Sequence, residues 1–326
     1  MSVSLNYLIT GGSGFIGSHF HNILADKNIL NIDLVEPNFE CKSEFFKGDI
    51  RKYSDLNEAL KSHSIDIIIS LAAMHHDFGI SEQEYFDTNE KGTKVICDIA
   101  TEYNIKTIVF FSSVAVYGEC QSASSEALTP KPNMPYGASK LAGEKVLEKW
   151  AYEQNDRKGL IIRPALVFGI NNTANMYKLI HQINMGIYFH VGKADNIKST
   201  AYVDNVVNAT LWAIDCLKPG VTIYNYADEP HLTSREIAET ISGALEKKIR
   251  LTLPKSLGIM MGLPFDLVIK ATGKNLPISS ARVKKLATET YHSASKIFDD
   301  GFQPKYTTKE GLRKMVEWYL QIKKQV

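Results

Sequence analysis

Short apolar runs alternate with stretches of helical spacing through the first half of the chain. Residues 5–10 form an apolar run that stops at a glycine cluster, and 14–26 carry helical spacing. A second apolar run spans 28–34, and Phe45 and Phe46 lie in a third. A short polar helix is expected over 54–61. Residues 65–70 (IDIIIS) are β-branched and wholly apolar at their centre, as a strand buried on both faces should be. A long helix is predicted over 82–103, another buried strand over 107–111, a helix over 136–152 and a strand over 160–162. Strands alternating with helices imply right-handed βαβ units on a parallel sheet. The predicted fold is therefore α/β, a Rossmann-type doubly wound parallel sheet.

Beyond residue 165 the pattern changes. Helices dominate, isolated strands are expected near 188–191 and 221–225, and Pro254, Gly258, Gly262, Pro264 and Pro277 punctuate the chain. This reads as a smaller, mainly helical lobe. The expected division is a dinucleotide-binding domain over 1–165, with returning segments near 200–225, and a substrate-binding lobe over 166–326.

Composition adds exclusions. The 326 residues are 44% hydrophobic and 22% charged, ordinary for a globular protein. The net charge of +1 gives no reason to expect nucleic acid or an acidic membrane surface as partner. No apolar stretch reaches the ~18 residues of a membrane helix, and the first residues do not read as a signal peptide. Cys41, Cys97, Cys120 and Cys216 show no CxxC spacing. They fit reduced thiols in a cytoplasmic protein, and no metal site is expected. His19 and His21 lie two apart on a helix and face different ways, so they do not form a metal pair.

Gly11, Gly14 and Gly17 are spaced GxxGxxG, directly after a strand and opening a helix. Glycine there lets the backbone turn tightly and approach a pyrophosphate, and the helix N-terminus supplies N–H groups and a positive dipole end. Asp33 ends the next strand, about 20 residues on, where a carboxylate accepts hydrogen bonds from an adenosine ribose. Leu34, Val35 and Glu36 follow, with no cation for a 2′-phosphate, so the expected cofactor is NAD(H) rather than NADP(H). A plain turn role is the competing reading of Asp33. Asp49, in Gly48-Asp49-Ile50, suits either an adenine amino group or a helix cap.

Tyr136 and Lys140 are four apart on a predicted helix and share a face. A tyrosine ionises near pH 10, and a cation within ~4–6 Å lowers that by ~1–3 units. Tyr136 can then exchange a proton with a substrate hydroxyl at neutral pH. Ser113 ends the strand before, at the edge where such sheets bind ligands, and its hydroxyl can hold the same substrate oxygen.

These segments resemble the extended short-chain dehydrogenase/reductases, the NAD-dependent epimerase/dehydratase group that modifies nucleotide sugars. The resemblance runs through TGGSGFIG at 10–17, GDI at 48–50, Leu71-Ala72-Ala73, Asn89-Glu90-Lys91-Gly92-Thr93, SSVAVYG at 112–118, YGASK at 136–140, Arg163-Pro164 and Tyr202-Val203-Asp204-Asn205. It implies that Ser113, Tyr136 and Lys140 are catalytic. It implies further that Ser13, Phe15 and Ile16 of the glycine loop, Ile50 beside Asp49, Leu71, Ala72, Ala73 and Pro164 line the cofactor. Lys198 stands near the place of a diphosphate-binding arginine, as a point charge rather than a bidentate fork. Asn175 is either a substrate-loop residue or a helix cap. Lys193, Arg250 and Arg282 are further candidate phosphate ligands. His75, His76 and Asp77 either meet substrate, His76 foremost, or form a polar loop.

In this family, 4,6-dehydratases carry an Asp-Glu pair after the catalytic hydroxyl; here Val114 and Ala115 stand there, which argues against dehydration. The expected reaction is 4-epimerisation of a nucleotide sugar. A 4-keto reductase, a 3-hydroxy (steroid-type) dehydrogenase and a catalytically idle NAD-binding scaffold are the alternatives, the last disfavoured by the presence of Tyr136 and Lys140. Core packing is the default reading of Tyr85, Phe86, Tyr103, Trp150 and Tyr152 on the two long helices; the resemblance also implies a homodimer through those helices.

Overall fold

The computed structural model describes residues 5–74, 79–119, 123–254, 256 and 288–324. The chain divides into two compact units. The first comprises Met1–Val167, Val203–Ala227 and His292–Lys305; the second comprises Phe168–Tyr202, Asp228–Tyr291 and Tyr306–Val326.

The first unit is built on seven parallel strands: β1 (Asn6–Thr10), β2 (Asn28–Asp33), β3 (Glu44–Lys47), β4 (Ile67–Ser70), β5 (Thr107–Phe111), β6 (Lys158–Pro164) and β7 (Gly220–Tyr226). Their order across the sheet is β7-β6-β5-β4-β1-β2-β3. The chain winds outward from β1 to β3, then returns to β4 on the other side of β1 and winds outward again. The strand order reverses between β1 and β4, and ligands of such sheets bind at that reversal, beyond the carboxyl ends of the strands. The continuous apolar runs have a direct cause. Leu8, Ile9, Ile32, Ile68, Ile69, Ile108, Val109, Leu160 and Ile161 are buried on both faces of the sheet.

Helices α1 (Phe15–Ile23), α2 (Tyr53–Leu60), α3 (Glu82–Phe86), α4 (Gly92–Glu102) and α5 (Pro135–Tyr152) belong to this unit. The long helix predicted over 82–103 is interrupted. Asp87–Lys91 forms a π-turn between α3 and α4. It carries the buried Asn89, whose Nδ2 donates to Ser139 Oγ (2.9 Å) and to the Met74 carbonyl (3.2 Å). Thr93 Oγ1 donates to the Asn89 carbonyl at 2.7 Å. A widened turn of this kind re-aims one residue without ending the helix.

α5 packs at close range against the π-turn and the Phe110 ring of β5. A Cβ on Gly143 would strike the Asn89 carbonyl oxygen and come within 2.7 Å of the Phe110 ring. The unit also takes in α7 (Val203–Cys216), tied to α1 by His19 Nδ1 and Asp204 Oδ1 at 2.6 Å, and α9 (Ser295–Asp299). α9 brings Phe298 to 6.2 Å from the Tyr226 ring of β7. This return at 292–305 was not anticipated from the sequence.

The second unit is mainly helical: α6 (Asn175–Asn184), α8 (Ser234–Ala244) and α10 (Thr308–Lys324). Two small strand pairs join it. His190–Val191 runs parallel to Thr252–Leu253, and Ile197–Lys198 antiparallel to Leu232–Thr233. Phe168, Ile180, Tyr202, Ile241, Met315 and Tyr319 form its core. Gly311 admits the Tyr202 ring, whose atoms would lie 2.6 Å from a Cβ there. Thr233 and Glu236 close α8 with a reciprocal capping box.

The two helical glycines Gly143 and Gly243 should respond oppositely to alanine. Gly243 in α8 meets nothing within 4 Å, so Gly243→Ala should stabilise by about 0.5–1 kcal/mol. Gly143→Ala should destabilise by about 1–3 kcal/mol through overpacking, despite the better helix propensity. Urea midpoints of the two variants check this; a stabilised Gly143→Ala would refute the close approach.

Candidate active site

The glycine loop joins β1 to α1. Gly11 has φ +73° and its N–H donates to the Ile32 carbonyl at 2.9 Å. A Cβ on Gly11 would lie 2.5 Å from the Ala72 nitrogen, and one on Gly17 would fall on the Gly12 backbone. Gly12 is equally constrained, since its Cβ would meet Asn31 Oδ1 and lie 2.9 Å from His21 Nε2. That requirement was missed in the sequence because Gly12 falls outside the GxxGxxG frame. Gly14 is the N-cap of α1. No side chain caps that end and no acid occupies its first turn, which contains Phe15, Ile16 and Gly17. Among the described residues no side chain accepts from the first-turn N–H groups at that end.

Asp33 lies at the carboxyl end of β2 and reaches back to this loop. Its Oδ2 accepts from Ser13 N–H (3.1 Å) and its Oδ1 from Leu34 N–H (2.7 Å). Each oxygen keeps a lone pair for a further donor. Ser13 Oγ donates to the Val35 carbonyl at 2.7 Å. Across the strand reversal, Leu71 N–H and Ala72 N–H both donate to the Thr10 carbonyl, at 2.9 and 2.8 Å, so the Leu71–Ala73 segment crosses directly beside Gly11. Asp49 is committed differently. Arg51 grips its carboxylate through Nη2 at 2.6 Å and Nε at 2.9 and 3.0 Å, which holds the acid below its ordinary range. Ile50 is buried and would touch a Cβ on Gly92. Pro164 ends β6, paired with Tyr226.

Ser113, Tyr136 and Lys140 gather at the carboxyl end of β5. Ser113 caps a one-turn 3-10 helix, Val114–Tyr117, and its Oγ accepts from Ala115 N–H at 3.1 Å. Pro135 starts α5, and Tyr136 follows in the first turn. A Cβ on Gly137 would strike the Ala115 carbonyl oxygen, so the turn bearing Tyr136 rests on the turn begun by Ser113. Lys140 is 2% exposed; its Nζ donates to the Phe111 carbonyl at 2.7 Å and lies 4.9 Å above the Phe110 ring. Burial pushes its pKa down to about 7, with the Glu144 carboxylate acting against the shift. The Tyr85 ring centroid is 6.1 Å from that of Tyr136.

Beneath these residues runs a buried polar chain that sequence reading did not find. Glu144, one turn beyond Lys140, accepts from Arg163 Nε (2.8 Å) and Nη2 (2.6 Å) and from the Ser112 hydroxyl. The two charged side chains are 1% and 4% exposed. Arg163 Nη1 donates to Tyr117 Oη, which donates to Asn225 Oδ1, both at 2.8 Å. Burial works against the guanidinium, but the Glu144 hydrogen bonds outweigh it and hold Arg163 charged. The one available signal was Arg163 before Pro164, a cation at the end of an otherwise apolar strand.

The remaining candidates lie elsewhere. Asn175 and Lys198 belong to the second unit. Asn175 is exposed and is the first residue of α6; the N-cap is Ala174, whose N–H is held instead by Asn172 Oδ1 at 2.7 Å, so Asn175 is not a cap. Lys198 Nζ donates to the Thr288 carbonyl. His75, His76, Asp77, Cys120 and Arg282 lie outside the described residues. Among the described residues, no group of three or more His, Cys, Asp or Glu is placed to hold a metal, and no helix is long and apolar enough to cross a membrane.

Residues 7–227 match the model of the NAD dependent epimerase/dehydratase family. The chain belongs to that family. It is 35% identical over 316 residues, 96% of this chain and 95% of the relative, to an N-acetyl-alpha-D-glucosaminyl-diphospho-ditrans,octacis-undecaprenol 4-epimerase of Escherichia coli O157:H7. A sterol-4-alpha-carboxylate 3-dehydrogenase (decarboxylating) of Candida albicans is 26% identical over 352 residues, 98% of this chain and 99% of the relative. The solved UDP-glucose 4-epimerase of Thermus thermophilus in complex with NAD superposes with a TM-score of 0.75 at 21% identity, over 97% of this chain and 99% of that one. The last similarity establishes the shared fold.

An NAD-dependent enzyme of the extended short-chain dehydrogenase/reductase type needs a cradle for two phosphates, and the glycine loop fits that group. Side chains at Gly11, Gly12 and Gly17 would collide with neighbouring backbone or buried polar atoms, and the first turn of α1 presents its N–H groups beside the Asp33 carboxylate.

The buried lysine gives this family member a measurable signature. Lys140 titrates near 7 in the folded chain and near 10.5 unfolded. Between those values the unfolded chain holds the proton that the folded chain has released, so the ΔG of unfolding rises with pH across that window and levels off outside it. Relative to Lys140→Met, the cofactor-free wild type should gain at most about 1.4 kcal/mol per pH unit from pH 7 to 9. Urea unfolding of both proteins at several pH values tests this; a difference independent of pH would show that the ammonium is not desolvated.

Proposed function

We propose that the protein is a 4-epimerase acting on a hexose joined to its carrier through a diphosphate. The observation that carries this reading is the carboxyl end of β5, where Ser113, Tyr136 and Lys140 gather and Val114 and Ala115 follow the serine. A dehydratase needs an acid and a base at the latter positions, and neither side chain can titrate. The 35% identical relative, matched over nearly the whole of both chains, bears the name of a 4-epimerase.

In this reading the first unit holds NAD through Gly11, Ser13, Gly14, Phe15, Ile16 and Gly17. Asp33 takes the adenosine ribose, and Asp49, Ile50, Leu71, Ala72, Ala73 and Pro164 line the remainder. Bound NAD supplies the hydride acceptor and donor. The Tyr136 phenolic oxygen takes the proton of the sugar 4-hydroxyl and later returns it. Ser113 Oγ, held by Ala115 N–H, retains a proton to donate to the same sugar oxygen. Lys140 places positive charge one turn from Tyr136 and favours the phenolate. The sugar turns over as a 4-ketone before the proton returns, so no net redox results.

The second unit supplies the substrate side, with Asn175, Lys198 and, outside the described residues, His76 and Arg282 as candidates. The carrier is a nucleoside in the family at large and a polyprenol in the name of the Escherichia coli relative. Two copies are proposed to pair along α5. There Phe86, Ala138, Leu141, Ala142 and Val146 line an open groove with Lys145 and Lys149 at its rim.

The deciding experiment uses protein purified without added cofactor. Denaturation should release NAD. The native enzyme should interconvert 4-epimers within a panel of UDP-, dTDP- and GDP-hexoses and polyprenyl-diphosphate N-acetylhexosamines, without net NADH. Tyr136→Phe should lower kcat by about 10²–10⁴-fold, the usual contribution of a general acid/base. Turnover only when a 4-keto sugar and reduced nicotinamide are supplied would make the enzyme a reductase, and oxidation of a 3-hydroxy sterol would make it a dehydrogenase. Asp33→Arg should weaken NAD binding and admit NADP; unchanged NAD affinity would remove Asp33 from the ribose site.

A further inference from the structure

The second unit carries an apolar tip rimmed by cations. After α6 the chain turns through Gly186, at φ +71°, and leaves Met185 and Ile187 59% and 62% exposed. The segment after α8 runs alongside, with Leu251 50% exposed. Ile183–Phe189 and Lys247–Leu251 line one shallow groove. Both segments are fixed by backbone hydrogen bonds: Ile187 N–H to Gln182 (3.1 Å), His190 N–H to Leu251 (3.0 Å) and Lys247 N–H to Ser242 (2.9 Å). The apolar side chains are therefore held in solvent by an ordered backbone.

Charge in the groove is one-sided. Lys247, Lys248 and Arg250 line it, and among the described residues none of the three joins an ion pair. Glu246 is the single acid in the segment, and 183–189 carry no charge. A contact between two copies of this face would set cations against cations, with no acid in the groove to match them. An anionic bilayer satisfies both parts at once: apolar side chains enter the boundary between headgroups and acyl chains while lysines meet lipid phosphates.

We propose that this tip docks the protein onto an anionic phospholipid surface. The docking is independent of the reaction assigned to the first unit. It would bring the enzyme to sugars carried on membrane lipids.

The test is co-sedimentation of the full chain with vesicles of phosphatidylcholine alone or with added phosphatidylglycerol. Wild type should pellet with the anionic vesicles, remain in solution with the neutral ones, and be released by high salt. Lys247→Gln/Lys248→Gln should weaken partition roughly 25-fold, at about 5-fold for each basic residue near an anionic surface. Ile187→Asp should weaken it by a comparable factor. Both variants should keep the wild-type thermal midpoint and bound dinucleotide. Wild type that stays in solution with either vesicle, or variants that pellet as wild type does, would overturn the proposal. So would light scattering in which Ile187→Asp halves the mass, since the tip would then join two copies of the chain.

Discussion

The close seat of α5 against the Asn89 carbonyl, the Phe110 ring and the Ala115 carbonyl is the constraint on which the placement of Ser113, Tyr136 and Lys140 depends. Gly143 lets the helix touch the Asn89 carbonyl and the Phe110 ring, and Gly137 lets its first turn touch Ala115. A side chain at either position would push the helix outward. Tyr136 and Lys140 would move with it, while Ser113 would remain with β5. The π-turn at Asp87–Lys91 belongs to the same arrangement, because it turns Asn89 toward Ser139 of α5 and the Met74 backbone beyond β4. The three elements are thus registered by two glycine contacts and the Asn89 amide.

Electrostatics sharpen that registration at a cost. Glu144 and Arg163 are buried, and a buried ion pair recovers its desolvation only when its remaining donors and acceptors are satisfied. Ser112, Tyr117 and Asn225 satisfy them here. Removing one partner would leave a buried charge, whereas the intact chain fixes α5 to β6 and β7. Lys140 is the less well compensated member of the neighbourhood. Its Phe111 hydrogen bond and the nearby Glu144 do not offset burial, so its proton is loosely held. A fold selected for stability alone would place an apolar residue there, and the proposed proton exchange at Tyr136 gives a reason for the lysine.

The sheet was legible because both-face burial writes itself into sequence: IDIIIS admits few other readings. The glycine loop and Tyr136/Lys140 were legible because their spacing is local. What escaped depends on partners far along the chain. Glu144 sits in Gly143-Glu144-Lys145, a local pattern with nothing to mark burial, and its partner is 19 residues away. Apolar periodicity across 82–103 is continuous, so one extra residue per turn at Asn89 leaves no mark in it. Asp49 looked equally fit for adenine or a cap, and the structure adds a third claimant, Arg51, two residues on. Asn175 was read as a possible cap because asparagine favours that position, but the helix starts one residue earlier, its N-cap is Ala174, and no side chain caps that end.

Net charge illustrates the same limit from the opposite direction. A total of +1 over 326 residues argues against an anionic partner only if charge is spread evenly. Over 246–251 three cations face one acid, and a Debye length of ~8–10 Å confines their influence to the side chains beside them. Those neighbours are Met185, Ile187 and Leu251, apolar and held out in solvent. A surface is recognised by what lies within that short radius, so the average over the chain carries little information about it. The pairing of most of the exposed apolar residues with the basic ones there is made by the fold, from two segments about 60 positions apart, and 183–189 alone carry no charge.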